Sequence, residues 1–141
     1  MSKINVSRWL LGGAVAGVIM WIAEGVAGAL YMADMEAALT AHNLSMQMGA
    51  SVFVLSLVAS FTAGFVLIFL YAAARPRFGP GPKTAIMVAL AMWLGGYVLS
   101  LLGYQIMGLF PTSMLALWAT IGLVEMCIAS LVGGWIYREA A

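Results

Sequence analysis

Four long apolar segments decide what this chain can fold into. They cover residues 9–32, 49–74, 83–109 and 112–137, and each exceeds the roughly 20 residues that an α-helix needs to cross a bilayer core. In lipid, only helices and closed barrels satisfy every backbone polar group, and these runs are too long and continuous for barrel strands. The sequence therefore predicts an all-α integral membrane four-helix bundle, with residues 1–141 forming a single transmembrane domain.

Composition supports a bilayer as the main surrounding of the chain. Hydrophobic residues make up 65% of it and charged residues only 8%, against about 25% charged residues in typical soluble domains. The net charge of +1 gives no reason to expect a nucleic-acid partner. A single cysteine, Cys127, excludes an intrachain disulfide. The first apolar run is longer than a signal-peptide core, so we expect a retained first helix.

The connections between the segments differ in character. Residues 33–48 are expected to form an outer loop, in which "DMEAALTAHNL" makes a short surface helix with Asp34 as its N-cap. Residues 75–82, "RPRFGPGP", contain three prolines and predict a stiff cytoplasmic turn. Residues 108–112, "GLFPT", predict a tight hairpin in which Thr112 or Ser113 caps the fourth helix.

Charge is distributed unevenly between the two ends of the predicted bundle. Asp34, Glu36 and His42 fall at one end, together with no lysine or arginine. The other end carries all six basic residues: Lys3, Arg8, Arg75, Arg77, Lys83 and Arg138. By the positive-inside rule, this asymmetry predicts a multi-pass protein of the bacterial cytoplasmic (inner) membrane with both termini in the cytoplasm.

A weak internal repeat is also suggested by the sequence. "MW" at 20–21 recurs at 92–93, and "FLYAA" at 69–73 resembles "WIYRE" at 135–139. Such a repeat would consist of two helical hairpins of the same topology.

Two carboxylates, Glu24 and Glu125, lie well inside the apolar segments. Counted from the nearest basic residue at about 1.5 Å per residue, they lie about 24 and 20 Å deep. The same count places polar side chains of the second and third helices at about 21–25 Å. The sequence thus predicts one intramembrane polar layer with a member from every helix: Glu24, Glu125, Ser60, Tyr97 and Ser100.

Small residues share the helix faces of both glutamates. Gly13, Gly17 and Gly28 lie along the stripe of Glu24, and Gly122 and Gly133 lie along that of Glu125. Small residues let helices approach closely in membranes, so these glycines are predicted packing sites. The motifs "G13-x-x-x-G17" and "S130-x-x-x-G134" are suited to packing between subunits as well as within one chain.

The depth of the carboxyls leaves three interpretations open. No lysine, arginine or histidine falls near the layer, and an isolated ionised carboxylate there is costly, so we expect the carboxyls to be often protonated or to share one proton. In the first interpretation, the protonated carboxyls have a structural role only and form hydrogen bonds across helices, for example to Ser60 or Tyr97. Alternatively, they serve proton-coupled transport or ion permeation, or they bind a ligand or cofactor.

Signals for a metal site or for catalysis are weak. Thioether and imidazole groups of the outer loop suit a cuprous ion, which makes Met32, Met35, His42, Met46 and Met48 weak candidate ligands. No cofactor is predicted. The sequence has no phosphate-binding loop and no HExxH motif, and its only histidine lies in the loop, so we expect no enzyme.

Three segments carry a resemblance to a group of proteins. "RPRFGPGPKTA" (75–85), "GLVE" (122–125) and "GGWIYRE" (133–139) resemble segments of small bacterial four-helix inner-membrane proteins that have no assigned activity. This resemblance covers nearly the whole chain and implies no site. "IAEG" at 22–25 also looks like the helix-1 glutamate of the small multidrug resistance transporters, although this chain is longer and has a second glutamate in its fourth helix.

Together these features favour a non-catalytic integral membrane protein that acts through helix packing, as an accessory or structural subunit or as a homo-oligomer. The expected partners are the bilayer and other membrane subunits or further copies of the chain. The alternative is a proton-coupled small-molecule transporter or ion channel that uses Glu24 and Glu125. A third interpretation is the binding of a hydrophobic ligand or a metal.

Overall fold

A computed structural model describes residues 4–139, and Lys3 lies outside this range. Within it, the chain forms four helices: α1 (Val6–Ala41), α2 (Ala50–Phe78), α3 (Pro82–Met107) and α4 (Thr112–Ile136). Each helix is long and apolar enough to cross a membrane, and residues 4–139 contain no strand. The predicted all-α membrane architecture is therefore confirmed, whereas the orientation of the termini and the hairpin repeat stay predictions.

Helix α1 is much longer than the predicted first span. Its 36 residues correspond to about 54 Å, and they run through the first part of the expected outer loop 33–48. The prediction of Asp34 as an N-cap is wrong, because Asp34 lies inside this continuous helix. Residues 33–41, "ADMEAALTA", are rich in strong helix formers and contain no glycine or proline. The N-cap of α1 is Asn5, whose side chain accepts a hydrogen bond from the backbone N–H of Arg8 at 3.2 Å.

The predicted turn at 75–82 is shorter in the structure, because α2 continues past Pro76 to Phe78. Tertiary contacts hold this last turn despite the missing proline N–H. Arg75 donates to the carbonyl of Tyr137 at 3.4 Å, and the Thr84 hydroxyl donates to the carbonyl of Gly79 at 2.7 Å. Gly79 has a positive φ of 84°, which reverses the chain direction there.

The hairpin between α3 and α4 forms where the sequence places it, but its cap differs. Gly108, in a left-handed conformation with a φ of 66°, ends α3. The N-cap of α4 is Pro111, which provides no side-chain cap. Thr112 and Ser113 are therefore not the cap: Thr112 belongs to the helix and donates its hydroxyl to the side chain of Gln105 at 3.0 Å instead.

Helix α3 contains a π-helical segment, Trp93–Val98, in its middle. A π turn shifts the register of the residues that follow, and such turns are frequent at functional sites. The segment includes Gly95 and Gly96, and the indole N–H of Trp93 fixes it to α4 by donating to the carbonyl of Ala119 at 2.8 Å. Tyr97, which bonds to α1 across the bundle, lies in this segment.

Close backbone contacts hold the helices together at the end that carries the basic residues, here called the basic end. A Cβ added to Gly64 of α2 would collide with the backbone of Gly13 and Gly17 on α1. A Cβ added to Gly12 would lie 2.7 Å from the carbonyl oxygen of Gly133 on α4. At these positions, glycine lets helices approach at backbone distance.

Two other predicted packing glycines behave differently from each other. Gly122 packs against the ring of Tyr97, which a Cβ would approach to 2.7 Å. Gly28 is wrong as a packing site, because open space surrounds the position of its missing side chain. Gly28 faces this open space, whereas its neighbour Ala27 is buried, with 4% exposed.

The helices separate toward the opposite end, which carries Asp34 and Glu36 and is here called the acidic end. Helix α1 packs against α2 and α4, and α4 packs against α3. Helix α2 contacts α3 only through the first part of α3, Pro82–Met92. The backbone of the π segment and of Leu99–Met107 stays away from α1 and α2, and Tyr97 reaches Glu24 through its side chain. Between the acidic-end halves of α2 and α3 there is therefore a gap, with α1 and α4 behind it.

The tightest glycine contact can be tested by adding a single methyl group. We expect Gly64→Ala to lower the free energy of unfolding in detergent by about 1–3 kcal/mol, because the backbones of α1 and α2 must move apart. Gly28→Ala is the matched control, and its melting temperature should stay unchanged or rise because alanine favours the helix. Equal melting temperatures for both variants would contradict the described contact.

Candidate functional site

Glu24 of α1 lies at the centre of a hydrogen-bonded group. Its Oε1 accepts a hydrogen bond from the Tyr97 hydroxyl at 3.1 Å, and its Oε2 accepts one from the Tyr31 hydroxyl at 3.3 Å. Tyr97 comes from the π segment of α3, whereas Tyr31 lies two turns further along α1. Each carboxyl oxygen of Glu24 thus has a phenol donor, and one of the two donors belongs to another helix.

Glu125 of α4 faces Glu24 and is almost entirely buried. Its exposed fraction is 4%, and it lines the same cavity as Glu24. The Oε2 atom of Glu125 is buried and has no donor partner. The structure therefore brings two carboxyl groups from α1 and α4 together, with one oxygen that no protein donor satisfies.

Two adjoining cavities open on this carboxyl pair, and we call them together the carboxyl groove. Their volumes are about 1050 Å³ and 790 Å³, and both are open to one side. Glu24, Ser56, Tyr97 and Met126 line both cavities, while Glu125 lines the larger one. The groove fills the gap between α2 and α3, so the separation of these helices creates it.

The two serines of the predicted layer take different positions. Ser60 lines the larger cavity together with Glu24 and Glu125. Ser100 lines the smaller cavity, but its hydroxyl donates to the carbonyl of Gly96 in its own helix at 2.8 Å. The structure thus gathers Glu24, Tyr97 and Glu125, places Ser60 on the wall beside them, and leaves Ser100 bonded to the α3 backbone.

Sequence reasoning missed the aromatic groups that complete the site. Tyr31 lies seven residues after Glu24, on the same helix face, and this spacing was the signal for its role. The indole N–H of Trp21 donates to the Ser56 hydroxyl at 3.1 Å and so joins α1 to α2 beside the groove. The ring of Trp118 of α4 lies 5.2 Å from that of Tyr31, tilted by 56°, and its buried indole N–H has no partner among residues 4–139. No sequence pattern indicates a contact such as that of Trp21 with Ser56, because the two residues lie on different helices.

The weak metal candidates are not gathered into one place. Met32 and Met35 line the smaller cavity, whereas His42 and Met48 do not. Met48 is 69% exposed beyond the end of α1, and Met46 lies in the same connection. Among residues 4–139, no cluster of three histidine, cysteine or acidic residues could hold a metal ion.

The chemistry of the groove follows from the residues that line it. Its walls are mainly apolar and aromatic, and among residues 4–139 no lysine, arginine or histidine lines either cavity. Two carboxyls that line one cavity without a cation repel each other when both are ionised, so the loss of one charge, by a proton or a bound cation, stabilises the pair.

Comparisons of the chain with protein-family models, with curated proteins and with solved structures return no match.

The hydrogen bond between α3 and Glu24 can be tested without changing the packing. We expect Tyr97→Phe to lower the free energy of unfolding by about 1 kcal/mol, because Glu24 loses one donor while the ring stays against Gly122. Tyr104→Phe, which removes a hydroxyl from the same groove and keeps both donors of Glu24, is the control. Chemical unfolding in detergent measures both. A larger effect for Tyr104→Phe than for Tyr97→Phe would contradict the assignment.

Proposed function

We propose that this integral membrane protein is a non-catalytic, proton-coupled transporter of a small molecule that binds in the carboxyl groove. The observation that carries this proposal is that Glu24 and Glu125, from two different helices, line one cavity that no basic residue among residues 4–139 lines. In this proposal the chain lies in a bacterial inner membrane with both termini in the cytoplasm. The distribution of its basic residues supports this orientation.

The proton is proposed from electrostatics. Glu125 is 4% exposed and its Oε2 lacks a donor, so a negative charge on both glutamates would face repulsion and desolvation together. A proton held by the two carboxyls removes one of these charges. When a molecule with a positive or hydrogen-bond-donating group enters, it can replace this proton.

The size and lining of the groove support a small-molecule ligand. Ligand sites are typically clefts of about 300–1,000 Å³ with apolar walls and a few polar groups. The two cavities, of about 1050 Å³ and 790 Å³, match this description, with Glu24, Tyr97 and Glu125 as the polar groups. The gap between α2 and α3 gives access from the side and from the acidic end.

A transporter is favoured over an ion channel by the packing of the basic end. There, Ala16, Leu67, Ile68 and Ala129 have no exposed surface. A channel needs a continuous open path, whereas a transporter needs one closed end at a time. The described conformation is tightly packed at the basic end, and the smaller cavity extends from Glu24 toward Met35 and Tyr104 at the acidic end.

The two small-residue motifs that suggested packing between subunits make their contacts within one chain. Gly13 and Gly17 pack against Gly64 of the same chain, and the hydroxyl of Ser130 donates to the carbonyl of Ala85 at 2.8 Å. Both small-residue motifs therefore hold the bundle itself together. Lipid would cover the apolar side chains on the outside of α2 and α3 just as well as a second subunit would. These side chains therefore do not favour an accessory subunit or a homo-oligomer.

Proton coupling can be measured in proteoliposomes that contain a pH-sensitive dye. With a pH gradient imposed, a panel of small amphipathic amines, acids and neutral compounds is added, and dissipation of the gradient is followed. We expect at least one compound class to cause protein-dependent proton flux. Glu24→Gln and Glu125→Gln should each reduce this flux at least tenfold. In each variant one carboxyl of the pair is lost, so the pair can no longer exchange a proton for the ligand.

Glu36→Gln is the matched control, since Glu36 is an exposed carboxylate of the same helix outside the groove. This variant should keep the flux of the unmodified protein. Compound-dependent flux that persists in both groove variants, or no flux with any compound class, would overturn the proposal.

A further inference from the structure

A second groove lies at the basic end, on the outer surface of the bundle, between the start of α3 and the last turns of α4. We call it the basic-end groove. Its volume is about 530 Å³, and its walls are nearly all apolar. The residues that form it include Tyr71, Pro82, Ala85, Leu131, Val132 and Trp135. The groove is separate from the carboxyl groove, because the two share no lining residue.

Positive charge surrounds this apolar groove. Lys83 follows the wall residue Pro82 directly, and Arg138 comes three residues after Trp135; both side chains are exposed. The guanidinium of Arg75 lies 5.8 Å from the ring centroid of Tyr71, which forms another part of the wall. The only acidic residue at this end of the chain is Glu139, so the groove lies in a net positive field.

The depth of the wall matches the upper part of a lipid. Gly81 to Ala85 and Leu131 to Trp135 each cover about one helical turn, or about 6 Å along the helix axis. Trp135 is 79% exposed, and tryptophan side chains concentrate at the level of the lipid headgroups. The cations at the rim of the groove suit a charged lipid headgroup. The apolar walls below them, one helical turn deep, suit the glycerol and the first methylene groups of an acyl chain.

We propose that the basic-end groove binds one anionic phospholipid. Its phosphate lies between Lys83 and Arg138, and the upper part of one acyl chain packs against Leu131, Val132 and Trp135. A cationic rim pairs with an anionic headgroup through charge-assisted hydrogen bonds. Basic pockets between membrane helices recognise anionic lipids in this way. A zwitterionic headgroup has no net charge to match the rim, so it binds less well.

Native mass spectrometry of the full chain in mild detergent tests this proposal. The delipidated protein is titrated with phosphatidylglycerol or with phosphatidylcholine of the same acyl chains, and the one-lipid adduct is quantified. We expect at least a fivefold preference for phosphatidylglycerol. The double variant Lys83→Gln/Arg138→Gln should lose this preference. Val132→Phe, which fills the apolar wall, should weaken binding of both lipids.

The matched control is Arg8→Gln/Arg77→Gln, which removes the same amount of charge at the same end from exposed residues, neither of which lies within three residues of a wall residue in the sequence. This control should keep the preference for phosphatidylglycerol. Equal adducts of the two lipids with the unmodified protein would overturn the proposal. Equal loss of the preference in both double variants would overturn it too, because it would show attraction by overall charge alone.

Discussion

The architecture depends on the backbone contact between glycines at the basic end. Gly12, Gly13 and Gly17 present one helix face without side chains, which lets α1 lie against Gly64 of α2 and Gly133 of α4. Dispersion and close packing, not the hydrophobic effect, hold helices together in lipid, so contact at backbone distance matters most there. Since these contacts stop before Glu24, the bundle is closed at one end and open at the other.

The carboxyl groove is a consequence of this uneven packing. Helix α1 stays in contact with α4 along the bundle, which brings Glu24 and Glu125 together, whereas α2 and α3 separate beside them. The π segment of α3 then carries Tyr97 to the carboxyl of Glu24, a bond of 3.1 Å across the open space. Polar groups that would be costly in lipid thus lie in a space where they contact one another or a bound molecule.

Much of this arrangement was predictable from the sequence, because a bilayer imposes few solutions. Helix number follows from apolar length, and the small-residue faces of Glu24 and Glu125 indicated that both point inward. The length of α1 was not predictable from hydropathy. The residues after Met32 are no longer apolar, but they still favour a helix, so the helix continues beyond the apolar segment. The role of Tyr31 was missed although its spacing of seven residues from Glu24 places both on one face of α1, and the π segment of α3 was missed because a local change of helical pitch leaves no periodic pattern. The resemblance to small four-helix inner-membrane proteins stays a prediction.

The shared proton of the carboxyl pair is the central claim, and infrared spectroscopy of the protein in lipid tests it most directly. A protonated carboxylic acid has a C=O stretching band that is distinct from the bands of a carboxylate. The account predicts such a band at neutral pH, a change in its position or intensity in Glu125→Gln and in Glu24→Gln, and no change in Glu36→Gln. Absence of the band in the unmodified protein, or a band that neither groove variant changes, would contradict the account.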